Sequence, residues 1–146
     1  GDAFLQLREL QKSQNQDTGF DAYLHPKAQI ALGLELIDIA NSAIDISDGL
    51  IQDLNLICKS SDVGAKVHLS MIPTSVKDKT LELINSGDDY QICFTASEDK
   101  SIEINYISER LGVPITEIGK ITNTKELILL DHEGNKMDLG SGYCHF

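Results

Sequence analysis

Three aspartates, two serines, a glycine and a glutamine interrupt the otherwise apolar stretch SAIDISDGLIQDL, Ser42 to Leu54. In an extended chain alternate residues share a face, so Asp45 and Ser47 point one way and Ile44 and Ile46 the other. The apolar pair belongs to a core, which leaves the polar pair at the strand's exit. Asp48 and Gly49 then turn into a helix whose first N–H groups lack partners and carry the positive end of the dipole. A phosphate can sit at such a start. Carboxylates beside it would repel it unless a cation lies between them, and Mg²⁺ favours one or two carboxylates completed by phosphate oxygens and water. Asp45 and Asp48 therefore qualify as Mg²⁺ ligands of a nucleotide site, with the Ser47 hydroxyl or the turn N–H groups on a phosphate. The same residues suit a plain helix N-cap, and spacing alone leaves both readings open. An EF-hand does not fit: with Gly49 at its sixth position, Ile44, Ile46 and Asn55 would stand where acids belong.

A second acidic spot, SGDDYQI at Ser86–Ile92, is again a glycine–acid turn, here entering a strand. Neighbouring strand residues face opposite ways, so only one of Asp88 and Asp89 is expected to reach a given site; simple solvation of both is the plainer alternative. The terminal GYCHF is apolar and aromatic where chain ends are usually polar, so it is expected to pack down or contact a ligand. His145 reads as a packed or hydrogen-bonded histidine. There is no Walker A loop, no GxGxxG, no zinc spacing among the four histidines and no arguable Ser-His-Asp set.

The elements that must hold these residues follow from periodicity. A short helix is expected over residues 4–12, then a loop or linker at SQNQDTG. Pro26 can open a helix, and Ile30, Leu34 and Ile37 with Leu32, Leu36 and Ile39 make it apolar on so many sides that it should be buried. SAIDI is a strand. Gly49 to about Ser60 is a helix with Leu50, Leu54 and Ile57 on one face and Ile51 and Cys58 beside it. AKVHLSMI alternates as a strand and stops at Pro73. SVKDKTLELIN is a short helix ending near Gly87, and DDYQICFTA is a strand. Ile104, Ile107 and Leu111 form a helical stripe closed by Gly112. ITEIGKIT is a strand, and ELILLDHEGNKMDL is a hairpin turning at Glu133-Gly134-Asn135. Interleaved helices and strands with a hairpin imply an α+β fold, a mixed β-sheet flanked by helices.

Bulk properties narrow the function. The 146 residues are the length of one domain, and 41% hydrophobic content is enough for a core. With 23 acidic residues against 12 basic and a net charge of −11, the chain is a poor nucleic-acid or anionic-membrane binder. No apolar run reaches the ~18 residues of a membrane span, and the N-terminus has no signal-peptide pattern. Cys58, Cys93 and Cys144 are odd in number and far apart. They read as reduced thiols, two of them core-like, in a cytoplasmic protein. The opening on Gly1-Asp2 without Met suggests a piece of a longer chain.

In order and spacing, ANSAIDISDGLIQDL, SGDDYQICFT, LGVPITEIGKI and the terminal GYCHF resemble the C-terminal half of the thiamine-monophosphate kinase family, over about Leu24 to Phe146. DISDGL alone is shared with the wider aminoimidazole-ribotide synthetase superfamily; the SG-acid-DY turn and the GYxHF end are more specific. The resemblance implies the C-terminal domain of that superfamily's fold, with residues 1–23 a linker or helix following a missing N-terminal ATP-binding domain and residues 24–146 the C-terminal α+β domain. It implies ATP-dependent phosphorylation of thiamine monophosphate to thiamine diphosphate, with several Mg²⁺ ions between the aspartates and the phosphates and no protein nucleophile. Carried over by motif, Asp45 and Asp48 are metal ligands, Ser47 an ATP contact, and Asp88 and Tyr143 substrate contacts.

There are departures. Asp88 stands where the family pattern GEDYEL has Glu and is one methylene shorter. Gln91 replaces the second Glu, Cys144 replaces a frequent Asp, and His25 and Gln29 depart from the family's RP segment. Nothing here matches the family's N-terminal GDDAA-type acidic motif. The resemblance further implies that ATP, thiamine monophosphate and the chain's own N-terminal domain are partners, that the full-length protein is a homodimer, and that this polypeptide alone is inactive. Two alternatives stand beside it: another ATP-dependent enzyme of the superfamily, distinguished by whether ATP turnover needs thiamine monophosphate, and a non-catalytic scaffold domain, distinguished by failure to bind Mg-ATP.

Overall fold

The computed structural model describes residues 1–12 and 21–137. The expected SQNQDTG loop and the GYCHF end, with Tyr143, Cys144 and His145, lie outside the described residues. In chain order the elements are α1 (Asp2–Lys12), α2 (Asp21–Leu24), α3 (Ile30–Glu35), β1 (Ala40–Asp45), α4 (Leu50–Ser60), β2 (Gly64–His68), α5 (Thr80–Leu83), β3 (Ile92–Ala96), α6 (Ser101–Leu111), β4 (Gly119–Thr122) and β5 (Leu127–Leu130).

The strands form two sheets. β1 pairs antiparallel with β3, placing Ile44 opposite Cys93 and Asp45 opposite Ile92. β2 lies between β4 and β5, antiparallel to the first and parallel to the second. The α+β class with a mixed sheet and flanking helices is what the sequence pattern predicts. The α4 stripe is also as predicted: Leu50, Leu54, Ile57 and Cys58 are buried against Ala65, Val67, Ile84, Cys93 and Leu129. Leu129 is fully buried on β5. Truncating it to alanine should cost about 2–5 kcal/mol, because the lost methyl groups leave a cavity that neighbouring strands cannot fill; the shift in denaturant midpoint measures this. Cys58 and Cys93 are buried free thiols. Burial pushes the Cys93 thiol up to about 11, helped by the nearby Asp53 charge.

Several elements differ from expectation, each for a local reason. The helix after Pro26 begins only at Ile30, and it is not buried all round. Leu32 and Leu36 are buried with Ile107 of α6 and packed on by Ile92 and Phe94. Ile30, Leu34 and Ile37 are more than 60% exposed, because among the described residues the packing on α3 falls on the side that carries Leu32 and Leu36. AKVHLSMI leaves the strand at His68 and turns through a 3₁₀ turn at Leu69–Met71. The hairpin after β5 returns only as a bridge between Leu130 and Lys136. Its turn is held by the Asp131 Oδ1, which accepts from the Glu133 and Asn135 N–H groups at 2.8 Å. Gly112 closes α6 in the left-handed region, as the sequence predicts.

Candidate functional site

The strand expected over DDYQICFTA starts only at Ile92. Asp88 and Tyr90 have φ of 66° and 50°, left-handed values that a strand cannot hold. The segment instead folds as an irregular turn against the end of β1. The Ile46 N–H donates to the Gln91 carbonyl at 2.8 Å, the Tyr90 N–H to the Ile46 carbonyl at 2.9 Å, and the Asp88 N–H to the Ser47 carbonyl at 2.9 Å. The two acidic stretches of the sequence are therefore one structural unit.

Glycines permit this approach. A Cβ on Gly87 would stand 2.1 Å from the Ser47 carbonyl oxygen. Gly49 has φ of 126° and backs onto Asn85, where a Cβ would meet the Asn85 carbonyl carbon at 3.0 Å.

Within this unit Asp45, Asp48 and Asp88 are exposed and Ser47 is half-buried. Ile44 and Ile46 pack on the core, so the predicted alternation along the strand holds. Asp88 is exposed while the Asp89 side chain is 16% exposed, so the adjacent acids do divide, although a left-handed turn rather than a strand divides them. The Tyr90 hydroxyl donates to Asp88 Oδ1 at 3.4 Å. Its pKa is raised above the ordinary phenol value, first by the Asp88 charge and also by Asp45. Asp45 and Asp88, 43 residues apart in sequence, thus both raise the pKa of one hydroxyl, Asp88 the more strongly. Ionising a phenol beside two carboxylates adds a third negative charge, so either Asp88→Asn or Asp45→Asn should lower the Tyr90 titration midpoint. Phenolate absorbance read against pH checks this, with Tyr90→Phe identifying the signal.

The helix start corrects the sequence reading in two respects. Gly49 is the residue before α4 and has no side chain of its own to cap it. Asp48 does not cap it: its Oδ2 accepts from the Gln52 side-chain amide at 3.3 Å. The turn N–H groups are not free for a phosphate either. The N–H groups of Ser47, Asp48 and Gly49 all donate to Asp53 Oδ2, at 3.0, 3.1 and 3.2 Å. Asp53 is 1% exposed. Sequence reasoning passed over it, yet a signal was there: Asp53 falls between Leu50, Leu54 and Ile57 on the apolar stripe of α4, where a carboxylate needs a buried partner.

Among the described residues no three His, Cys, Asp or Glu side chains are arranged to hold a metal ion. The exposed pair Asp45 and Asp48 nevertheless fits the donor set of Mg²⁺, which takes one or two carboxylates and completes its shell with phosphate oxygens and water. Also among the described residues, no helix is long and apolar enough to cross a membrane.

An α+β domain of this kind is a class with known members. The chain belongs to the AIR synthase related protein, C-terminal domain family, which matches residues 1–132. Within it, the likeness is to thiamine-monophosphate kinases. The enzyme of that name from Escherichia coli O157:H7 is 37% identical over 156 aligned positions, covering 100% of this chain and 48% of the relative. The crystal structure of thiamine-monophosphate kinase from Stenotrophomonas maltophilia K279a superposes with a TM-score of 0.79 at 31% identity, over 88% of this chain and 46% of that one. AaThiL complexed with AMPPCP and TMP shares the fold, with a TM-score of 0.69 at 23% identity over 94% of this chain and 46% of that one. The chain thus spans about half the length of the curated relatives it matches.

Proposed function

We propose that this chain is the C-terminal part of an ATP-dependent kinase that phosphorylates thiamine monophosphate to thiamine diphosphate by direct, Mg²⁺-assisted transfer. The observation that carries the reading is the fusion of the two acidic turns into one exposed unit, in a chain matched along its whole length by thiamine-monophosphate kinases. Asp45 and Asp48 would hold Mg²⁺, Ser47 would contact ATP, and Asp88 with Tyr143 would contact the thiamine substrate. A cation held by Asp45 and Asp48 would supply positive charge to offset the repulsion between the two phosphate substrates.

The chain's own contribution is positional. The backbone bonds between the turns fix where Asp45 and Asp88 stand relative to each other, which is how alignment lowers a barrier. The acceptor is an anionic phosphate oxygen, so it needs no strong base, and no side chain has to become a nucleophile. The Asp88 carboxylate, one methylene shorter than the Glu of the family pattern, engages the Tyr90 hydroxyl, which holds it at the turn. An aromatic face at Tyr143 suits a cationic heterocycle.

The relatives are about twice this length, and the N-terminal half would supply further acids and nucleotide contacts. We accordingly expect the intact protein to act as a cytoplasmic homodimer and the 146-residue chain alone to be inactive. The test is phosphate transfer from ATP in the presence of Mg²⁺. The intact protein should turn over only when thiamine monophosphate is added, and the 146-residue chain should not. ATP turnover without thiamine monophosphate would refute the substrate, and turnover by the short chain would refute the need for the other half.

A further inference from the structure

The Asp53 carboxylate is the feature of this unit that the proposed reaction does not use. It is 1% exposed, and one of its oxygens receives three successive backbone N–H groups, from Ser47, Asp48 and Gly49, at 3.0–3.2 Å. Successive amides aimed at one point form an anion-binding concavity. At a helix start such a concavity commonly receives a ligand's phosphate. Here the fourth residue of the same helix fills it with an internal anion.

We propose that Asp53 is a positioning residue, which occupies the amide concavity of the acidic turn and presets Asp45 and Asp48 for a divalent cation; the inference rests on the cation role proposed for those two residues. Charge-assisted bonds to a carboxylate are roughly twice as strong as neutral ones, and three of them converge on a turn only three residues long. With these three amides taken, an incoming phosphate finds none of them free and meets two carboxylates, Asp45 and Asp48, beside the turn. The turn then accepts anions through a cation and not directly. Asparagine at position 53 would keep a carbonyl acceptor but lose the charge and one acceptor oxygen. Alanine would empty the concavity altogether.

The experiment measures Mn²⁺ binding to the intact protein by electron paramagnetic resonance, well below the unfolding temperature of each variant. Asp53→Asn and Asp53→Ala are expected to weaken Mn²⁺ by about 10-fold or more, the usual effect of removing a group that orients metal ligands. Leu54→Ala, a neighbouring core truncation, is expected to lower stability and leave Mn²⁺ affinity within about twofold, since it touches packing and not the turn. Asp45→Asn separates the two ideas. If it leaves Mn²⁺ binding unchanged, the cation role falls and this inference with it. If it weakens Mn²⁺ while both Asp53 variants bind normally, only the positioning role falls. Should neither Asp53 variant fold, hydrogen exchange in the unaltered protein decides. Slow exchange at residues 47–49 without metal, unchanged by Mn²⁺, upholds a preset turn; exchange that Mn²⁺ slows overturns it.

Discussion

Asp45→Asn in the intact protein is expected to lower kcat for phosphate transfer by about 10²–10³-fold, or roughly 2.7–4 kcal/mol of transition-state stabilisation, the scale on which a preorganised electrostatic group acts. The side chain sits at the exposed end of β1, beyond the core that Ile44 and Ile46 join. Asparagine preserves its shape, so stability should move by no more than about 0.5 kcal/mol, as for other exposed positions. What is lost is one negative charge where two polyanionic substrates must meet. Two phosphates repel at close range in proportion to their charges, and an under-coordinated cation cannot offset that. The variant should therefore show normal unfolding, a higher Mg²⁺ requirement and a kcat loss that excess ATP does not restore. Wild-type turnover would remove Asp45 from the site.

Gly87→Ala is the second large effect, and it acts through the backbone. The new Cβ would lie 2.1 Å from the Ser47 carbonyl oxygen, 3.1 Å from its carbon and 3.2 Å from the Asp48 Cα. All three are main-chain atoms, so no side chain can swing away and the turns must part. Overpacking of this kind costs about 1–3 kcal/mol. The Asp88 N–H bond to Ser47 would add about 1 kcal/mol if it broke. Parting the turns also carries Asp88 and Tyr90 away from Asp45. Of the causes of the Tyr90 shift only the smallest, the Asp45 charge, should be lost, and catalysis should fall as the acids separate. Gly33→Ala is the control: its Cβ would meet only Ile92 Cδ1, at 3.7 Å, inside α3, where alanine is favoured over glycine by about 0.5–1 kcal/mol. If Gly87→Ala unfolds at the wild-type denaturant midpoint, the two turns are not interlocked as described.

Much of the frame was legible in the sequence because it rests on local periodicity. The α4 stripe, the Ile44–Ile46 alternation and the Gly112 cap each follow from a period or a backbone preference that needs no distant partner. The readings that failed depended on partners far along the chain. α3 looked buried because six apolar residues fell at helical spacing, yet among the described residues the packing falls on Leu32 and Leu36, and Ile30, Leu34 and Ile37 stay exposed. The start of β3 was misplaced because Asp88 and Tyr90 take left-handed conformations fixed by their bonds to the end of β1.

The sequence by itself determined the acids and their spacing: Asp45, Ser47 and Asp48 at a strand-to-helix seam, and a second glycine–acid turn at Gly87–Asp88. It could not decide whether those stretches meet, because their contact spans about 40 residues and is made by backbone groups that every residue type carries. Nor could it tell which anion the helix start receives. The tertiary structure decided both. It closed the turns onto each other where two glycines leave room, and it gave the turn's amides to Asp53. A buried carboxylate on an apolar stripe must find donors, and these three were the ones within its reach.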